Sequence, residues 1–326
     1  MPLPALTATR YVTPLREGGS LPALVDTAPA ETAPADTAPA DTAPLATVRA
    51  EGLPAGLFVV KFRGAGQGAR ALVAELIVGQ LAQHLGLAVP DLALVDLAET
   101  FGRTEPDPEI QDILKGSRGV NVGLRYLDGA FTYDAALPDV MPEGAAAVDP
   151  ETAAAVVWLD ALVTNIDRTA RNPNLLLTQA ANAARPTLWL IDHGAALYVH
   201  HAWDTANAAV LVAEKATAPF VPIRDHVLLP VAGDLAAADA RLAPLLDADT
   251  IRAVLDAVPD ALLMDAPEGR TPPFESAAAN RAAYAAFFDA RLAAPPEGSL
   301  RPFAAEAVRA QAALAEKAGD ALPYRR

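Results

Sequence analysis

Of the four lysines in the chain, at positions 61, 115, 215 and 317, the first interrupts an otherwise apolar run, Leu57-Phe-Val-Val-Lys-Phe62. By strand alternation Phe58, Val60 and Phe62 share one face and Val59 and Lys61 the other, so the ammonium either snorkels to an edge or meets a partner. Glu75 is the partner on offer. On a following helix its neighbours three and four positions away are Ala71, Leu72, Val78 and Gly79, which puts the carboxylate on a packing face where a lone charge is costly. An edge lysine and a solvated glutamate are the plainer reading of the same two residues. A second group lies in Thr164-Asn-Ile-Asp-Arg-Thr-Ala-Arg-Asn-Pro-Asn174, followed by Leu175–Leu177 and then by Leu190-Ile-Asp-His-Gly194. If the runs after Asn172 and before Asp192 form a hairpin, those two residues arrive side by side. A carboxylate and an amide oxygen suit Mg²⁺ that keeps water and phosphate oxygens as its other ligands. Asp167, one short loop away, can take a proton from an attacking hydroxyl. Taken singly, Asp-Arg is commonly a surface ion pair, Asn-Pro-Asn a turn and Asp-His-Gly a strand exit.

The elements that must position these groups follow from apolar periodicity. Strands are predicted at 57–62, 92–97 and 120–127, and a helix at 70–87 closed by Gly86 and followed by Pro90. Asp128-Gly129 is a turn pair able to join two lobes. A helix opens at Pro150 and runs to Val163, short strands fall at 175–178 and 187–191, and alanine-rich helical patterns fill much of 234–326. The expected class is α+β, with a mixed N-terminal part and a helical C-terminal part. Residues 26–45 are four tandem pentads, DTAPA, ETAPA, DTAPA and DTAPL, read as an extended, disordered, solvated insertion because proline every fifth position removes donors and Ala and Thr bury little.

The order of these motifs resembles that of the HipA-like kinases, relatives of the phosphatidylinositol 3- and 4-kinases within the protein-kinase-like superfamily. A strand lysine, a helix acid, D-x-x-x-x-N and D-x-G fall on Lys61, Glu75, Asp167, Asn172 and Asp192. The resemblance implies a bilobal fold, a β-rich ATP-binding N-lobe over 1–127 carrying the pentad insertion and a helical C-lobe over 128–326. It also implies an adenine hinge at Arg125, Tyr126 and Leu127, a phosphate-covering turn at Gly18, Gly19 and Ser20, ATP with Mg²⁺ held by Asn172 and Asp192, and Arg168 balancing charge near the γ-phosphate. The activity implied is phosphoryl transfer to a protein Ser/Thr or a small-molecule hydroxyl, with a protein regulator as a further partner. The pattern departs from the wider superfamily in three places: Asn165-Ile166 stand where protein kinases carry His-Arg, Thr169 where lipid kinases carry histidine, and His193 where phenylalanine is common.

Composition narrows the partners. Hydrophobic residues make up 52% of the 326, enough to close a core, and a net charge of −15 repels phosphate backbones and anionic bilayers, so neither nucleic acid nor membrane is expected. No Lys or Arg lies between Asp192 and Lys215, which leaves inositol phosphates without a cationic clamp. The absence of cysteine and of an N-terminal basic-then-apolar leader reads as a cytoplasmic protein. Two other readings stay open: a nucleotide-binding pseudokinase that regulates a partner, and an NAD(P)-binding Rossmann oxidoreductase built on Gly64-Ala-Gly-Gln-Gly68. His193, His200 and His201 are close enough in sequence to suggest a transition-metal site, although supporting roles are commoner for such residues.

Overall fold

The computed structural model describes residues 3–15, 21–30, 55–103, 105–135, 148–180, 185–266 and 270–320. Strands β1 (Ala5–Pro14), β2 (Ala23–Pro29), β3 (Gly56–Lys61), β4 (Leu92–Leu97) and β5 (Gly119–Arg125) form a closed barrel in the order β1-β2-β3-β5-β4. Neighbours run antiparallel except β1 and β4, whose parallel pairing of Ala5–Thr7 with Leu94–Asp96 completes the ring. Alternate residues, among them Leu6, Ala23, Val25, Phe58, Val60 and Val95, fill the interior. Gly123 on β5 makes room for them: a Cβ there would stand 2.7 Å from Val95 Cγ2 and 3.2 Å from Phe58 Cδ1.

The barrel corrects two expectations. The first pentad does not loop out, because Asp26–Pro29 completes β2, with Asp26 opposite Arg10 on one side and Leu57 on the other. Thr27 is buried there and donates its hydroxyl to the Gly56 carbonyl at 3.0 Å. Pentad residues 31–45 lie outside the described residues. The dinucleotide reading also falls, since β3 is antiparallel to both of its neighbours and the fingerprint needs a parallel βαβ unit.

Helix α1 (Gly68–His84) joins β3 to β4. It is apolar on nearly every side, as a helix packed on more than one face must be, and it ends as the sequence predicts, with Gly86 and Leu87 donating to the carbonyls of Gln83 and Ala82. Helix α2 (Pro108–Gly116) precedes β5. Beyond β5, a three-stranded sheet ordered β6 (Phe131–Thr132), β7 (Leu175–Thr178), β8 (Thr187–Leu190) carries the predicted hairpin, paired Leu175 to Leu190 through Thr178 to Thr187. Helix α3 (Pro150–Leu162) starts with proline at its first turn and Asp149 capping the Thr152 N–H. The remaining α-helices among the described residues are α4 (Ala208–Lys215), α5 (Leu235–Leu242), α6 (Ala248–Asp256), α7 (Asp260–Leu263), α8 (Ala277–Leu292) and α9 (Pro302–Asp320). One large core runs from α1 and the outer faces of β4 and β5 through α3 into these helices, so α1 belongs to both parts of this α+β molecule. Among the described residues no helix is long and apolar enough to cross a membrane.

Candidate active site

Lys61 ends β3 opposite Val122 of β5, and the alternation that sends Phe58 and Val60 inward turns Lys61 outward against α1. Its ammonium lies 2.6 Å from Glu75 Oε2 and 2.7 Å from Asp192 Oδ1, a residue 131 positions away in sequence. Glu75 is fully buried, and the same Oε2 also accepts the His193 N–H at 2.8 Å. The helix acid thus fixes both the strand lysine and the backbone beside Asp192. Burial works against the Lys61 charge, but Glu75 and Asp192 outweigh it and raise the lysine above its ordinary value. Burial pushes the Glu75 carboxyl up, opposed by the Lys61 ammonium. For Asp192 burial is again opposed by Lys61, which here prevails and holds the carboxyl below the usual range.

Asp192 leaves β8 with a left-handed φ of 54°. Gly194 follows because a Cβ there would meet Ala71 Cβ at 3.3 Å and Gln67 Oε1 at 3.2 Å, so the backbone docks directly on α1. Opposite, the Ile191 N–H reaches the Asn174 carbonyl at 3.1 Å and extends the hairpin register, which brings the Asn172–Asn174 turn and Asp192 to the same end. Asp167 Oδ2 accepts the amide of Asn172 at 2.8 Å and that of Asn174 at 3.3 Å. Asn172 is exposed and its amide oxygen stays available to a cation, while Asn174 is buried. Asn174 was not singled out from sequence; its signal was a second Asn in Asn-Pro-Asn, read only as a turn.

Beneath the loop lies a buried polar network that sequence reasoning missed. Asp160 of α3 receives Arg168 Nε at 2.5 Å, Asn165 Nδ2 at 2.9 Å and His226 Nε2 at 2.9 Å. Arg168 also donates to the Asn174 carbonyl and, at 3.3 Å, to His193 Nδ1. It is 1% exposed, so it does not face a γ-phosphate: it braces the loop from below, a correction to the expectation above. Because arginine only donates, His193 Nδ1 is the acceptor and the ring proton sits on Nε2. Burial, with Arg168 nearby, pushes His193 down to about 3. Burial also opposes ionisation of Asp160, yet Arg168 and His226 hold that carboxyl far below its ordinary value.

The other expected contacts are placed as follows. Arg125 ends β5, its Nε 3.0 Å from Asp91 Oδ2 and its guanidinium 5.1 Å from the Phe58 ring centre. The N–H groups of Arg125 and Tyr126 bond to the carbonyls of Asp91 and Leu57; Tyr126 is exposed and Leu127 half-buried. Gly18, Gly19 and Ser20 lie outside the described residues, between Leu15 and Pro22, which are joined by a 2.7 Å backbone bond. His200 and His201 touch through Nε2 atoms 3.2 Å apart. Among the described residues no three His, Cys, Asp or Glu side chains gather to hold a metal. A cation at the hairpin end would therefore take oxygens from Asn172 and Asp192 and complete its shell elsewhere, which fits the donor set Mg²⁺ prefers beside phosphates.

A model of the HipA-like kinase family matches residues 52–218, more than half of the chain, a span that includes Lys61, Glu75, Asp167, Asn172 and Asp192. Among solved structures, that of a Helicobacter pylori proinflammatory kinase, CtkA, superposes with a TM-score of 0.46 at 15% identity, covering 79% of this chain and 92% of that one. No curated protein is similar enough to count as a match.

Proposed function

Since this chain belongs to the HipA-like kinase family and is a phosphotransferase, we propose that it moves the γ-phosphoryl group of ATP, in a magnesium-dependent reaction, to a hydroxyl of a protein Ser or Thr or of a small molecule. Residues 1–127 act as the nucleotide-binding lobe and residues 128–326 as the catalytic lobe. The observation that carries the reading is the Lys61 ammonium held at 2.6 Å and 2.7 Å between a helix acid and the acid of D-x-G.

Lys61, kept charged by its two carboxylates, orients the α- and β-phosphates. Glu75 fixes Lys61 from a site water does not reach. The backbone at 125–127 receives the adenine, with Leu127 offering its own amide hydrogen because those of Arg125 and Tyr126 are bonded to the Asp91 and Leu57 carbonyls, and Gly18, Gly19 and Ser20 cover the phosphates. Asn172 and Asp192 would hold Mg²⁺, which when bound neutralises charge on the phosphate oxygens. Asp167, with one carboxylate oxygen anchored by two asparagine amides, turns the other to the acceptor. The acceptor hydroxyl gives its proton to Asp167, its oxygen bonds to the γ-phosphorus, and the bond to the β,γ-bridging oxygen breaks to release ADP. Positioning and electrostatics do the catalysis, without a covalent enzyme intermediate. The net charge of −15 favours protein or small polar acceptors over nucleic acid, and a protein regulator remains part of the reading.

Incubation with γ-labelled ATP, Mg²⁺ and a lysate of the source cell tests it. Asp167→Ala is expected to lower transfer by about 10²–10⁴-fold while ATP·Mg²⁺ affinity stays within about tenfold; Asp192→Asn is expected to weaken magnesium-dependent nucleotide binding itself. Equal transfer by wild type and Asp167→Ala would remove Asp167 from the reaction, and no transfer above the lysate background by wild type would leave the non-catalytic regulator as the better account.

A further inference from the structure

Helix α1 meets the chain that follows Asp192 at two levels. The first is the stripe Gln67, Ala71 and Glu75, spaced four apart and so on one face, which abuts His193 and Gly194. The second is Arg70, whose guanidinium Nη1 donates to the His200 carbonyl at 2.6 Å and to that of His201, while Nη2 donates to the Trp203 carbonyl at 3.2 Å. Three carbonyls of one short segment thus converge on one fork, a geometry that suits a planar guanidinium and not an ammonium. The far side of the segment is pinned as well: His200 Nδ1 lies 2.8 Å from the Tyr284 hydroxyl of α8, and the Trp203 ring packs on Tyr284 at 4.7 Å. Its start is tied to the end of α3, where the Leu197 N–H reaches the Val163 carbonyl at 2.6 Å and the Tyr198 N–H reaches the Thr164 hydroxyl at 3.2 Å. Tyr198, 60% exposed, and His201 stand on its outer side.

We propose that Arg70 is a positioning residue that makes the segment Tyr198–Trp203 and helix α1 one mechanical unit, so that order in this segment and the placing of Glu75 against Lys61 and Asp192 are gained and lost together. The inference rests on the kinase reading for its effect on catalysis, but the coupling itself is structural. On that reading Arg70 transmits the state of the segment to the phosphate-holding lysine without touching substrate.

Arg70→Met and Arg70→Lys in the full chain test this by backbone hydrogen exchange without nucleotide and by phosphoryl transfer from ATP with Mg²⁺. Arg70→Met is expected to raise exchange about tenfold or more at 198–203 and also at the His193 amide, which Glu75 holds, and to lower kcat at least tenfold with a smaller change in the KM for ATP. Arg70→Lys, which keeps the charge but not the fork, is expected to recover less than half of the lost kcat. If Arg70→Met does not fold, Arg70→Gln, with two amide hydrogens, replaces it in the same measurements. Faster exchange confined to 198–203 with the His193 amide still protected would overturn the coupling, as would full kcat in Arg70→Met. Should wild type bind no ATP at all, the kinase reading fails separately, and the exchange at His193 still decides whether Arg70 couples the two elements.

Discussion

The barrel and the loop region present their functional groups by opposite means. The barrel is packed mainly with apolar side chains, with Thr27 and Asn121 as buried polar members, and Lys61 is placed by strand register: what points Phe58 and Val60 inward points Lys61 at α1. Under the loop that carries Asp167 and Asn172 the support is polar and buried, with Asp160, Arg168 and His226 joined by bonds of 2.5 and 2.9 Å and all nearly sealed from solvent. Apolar packing tolerates small errors in shape, whereas a buried charge with a missing partner has nowhere to relax. The loop's support is therefore at greater risk from the loss of one partner than the barrel interior is.

The contrast can be broken by substitution and by pH. The largest effect is expected from Arg168→Met, which strands the Asp160 carboxylate and should cost about 3–5 kcal/mol in urea unfolding; a loss no larger than that of a barrel variant would dissolve the distinction. Acid comes next. His193 titrates near 3 when folded against an ordinary 6.5, so between those values the unfolded chain takes up a proton that the folded chain refuses. Stability then falls as pH drops through that window, by on the order of a few kcal/mol at its lower end. Asp160, depressed in the folded chain, adds a further loss below the ordinary carboxylate value. Thermal melts from pH 7 to 3.5 should show the decline, and His193→Gln should remove part of it, the rest coming from His200, His201 and His226, which are also held below their ordinary value. Gly123→Ala, which drives a methyl into Phe58 and Val95, should cost about 1–3 kcal/mol with no new pH dependence. Smallest is Arg10→Met: the Arg10–Asp26 pair at 2.5 Å has a 70% exposed arginine, and its loss should change stability by about 0–1 kcal/mol.

How much of this was legible in the sequence follows the same division. Lys61, Glu75 and Asp192 could be read because a charge inside an apolar pattern advertises itself, and the β7–β8 hairpin because both runs are short, apolar and bounded by polar turns. The barrel could not. The strand Ala5–Pro14 mixes Thr, Arg and Tyr without clean alternation, and its closing contact joins residues 5–7 to 94–96, a pairing no local pattern encodes. Asp26–Pro29 was hidden by its repeat, whose composition argued for a loop although its register on β1 and β3 decided otherwise. Asp160 sits in an alanine-rich helix with no flanking motif, and Arg168 beside Asp167 looks like a surface pair until its burial is known. Networks of this kind are assembled from several elements, so each member is silent alone.

Closure of the ring by β1 also bears on how this protein can be cut. The span common to the family begins at residue 52, after both β1 and β2. A fragment starting there would leave the outer backbone of β3 and β4 without hydrogen-bonding neighbours, two raw sheet margins inviting self-association. Strands β1 and β2, though outside the shared span, are staves of the vessel that holds Lys61.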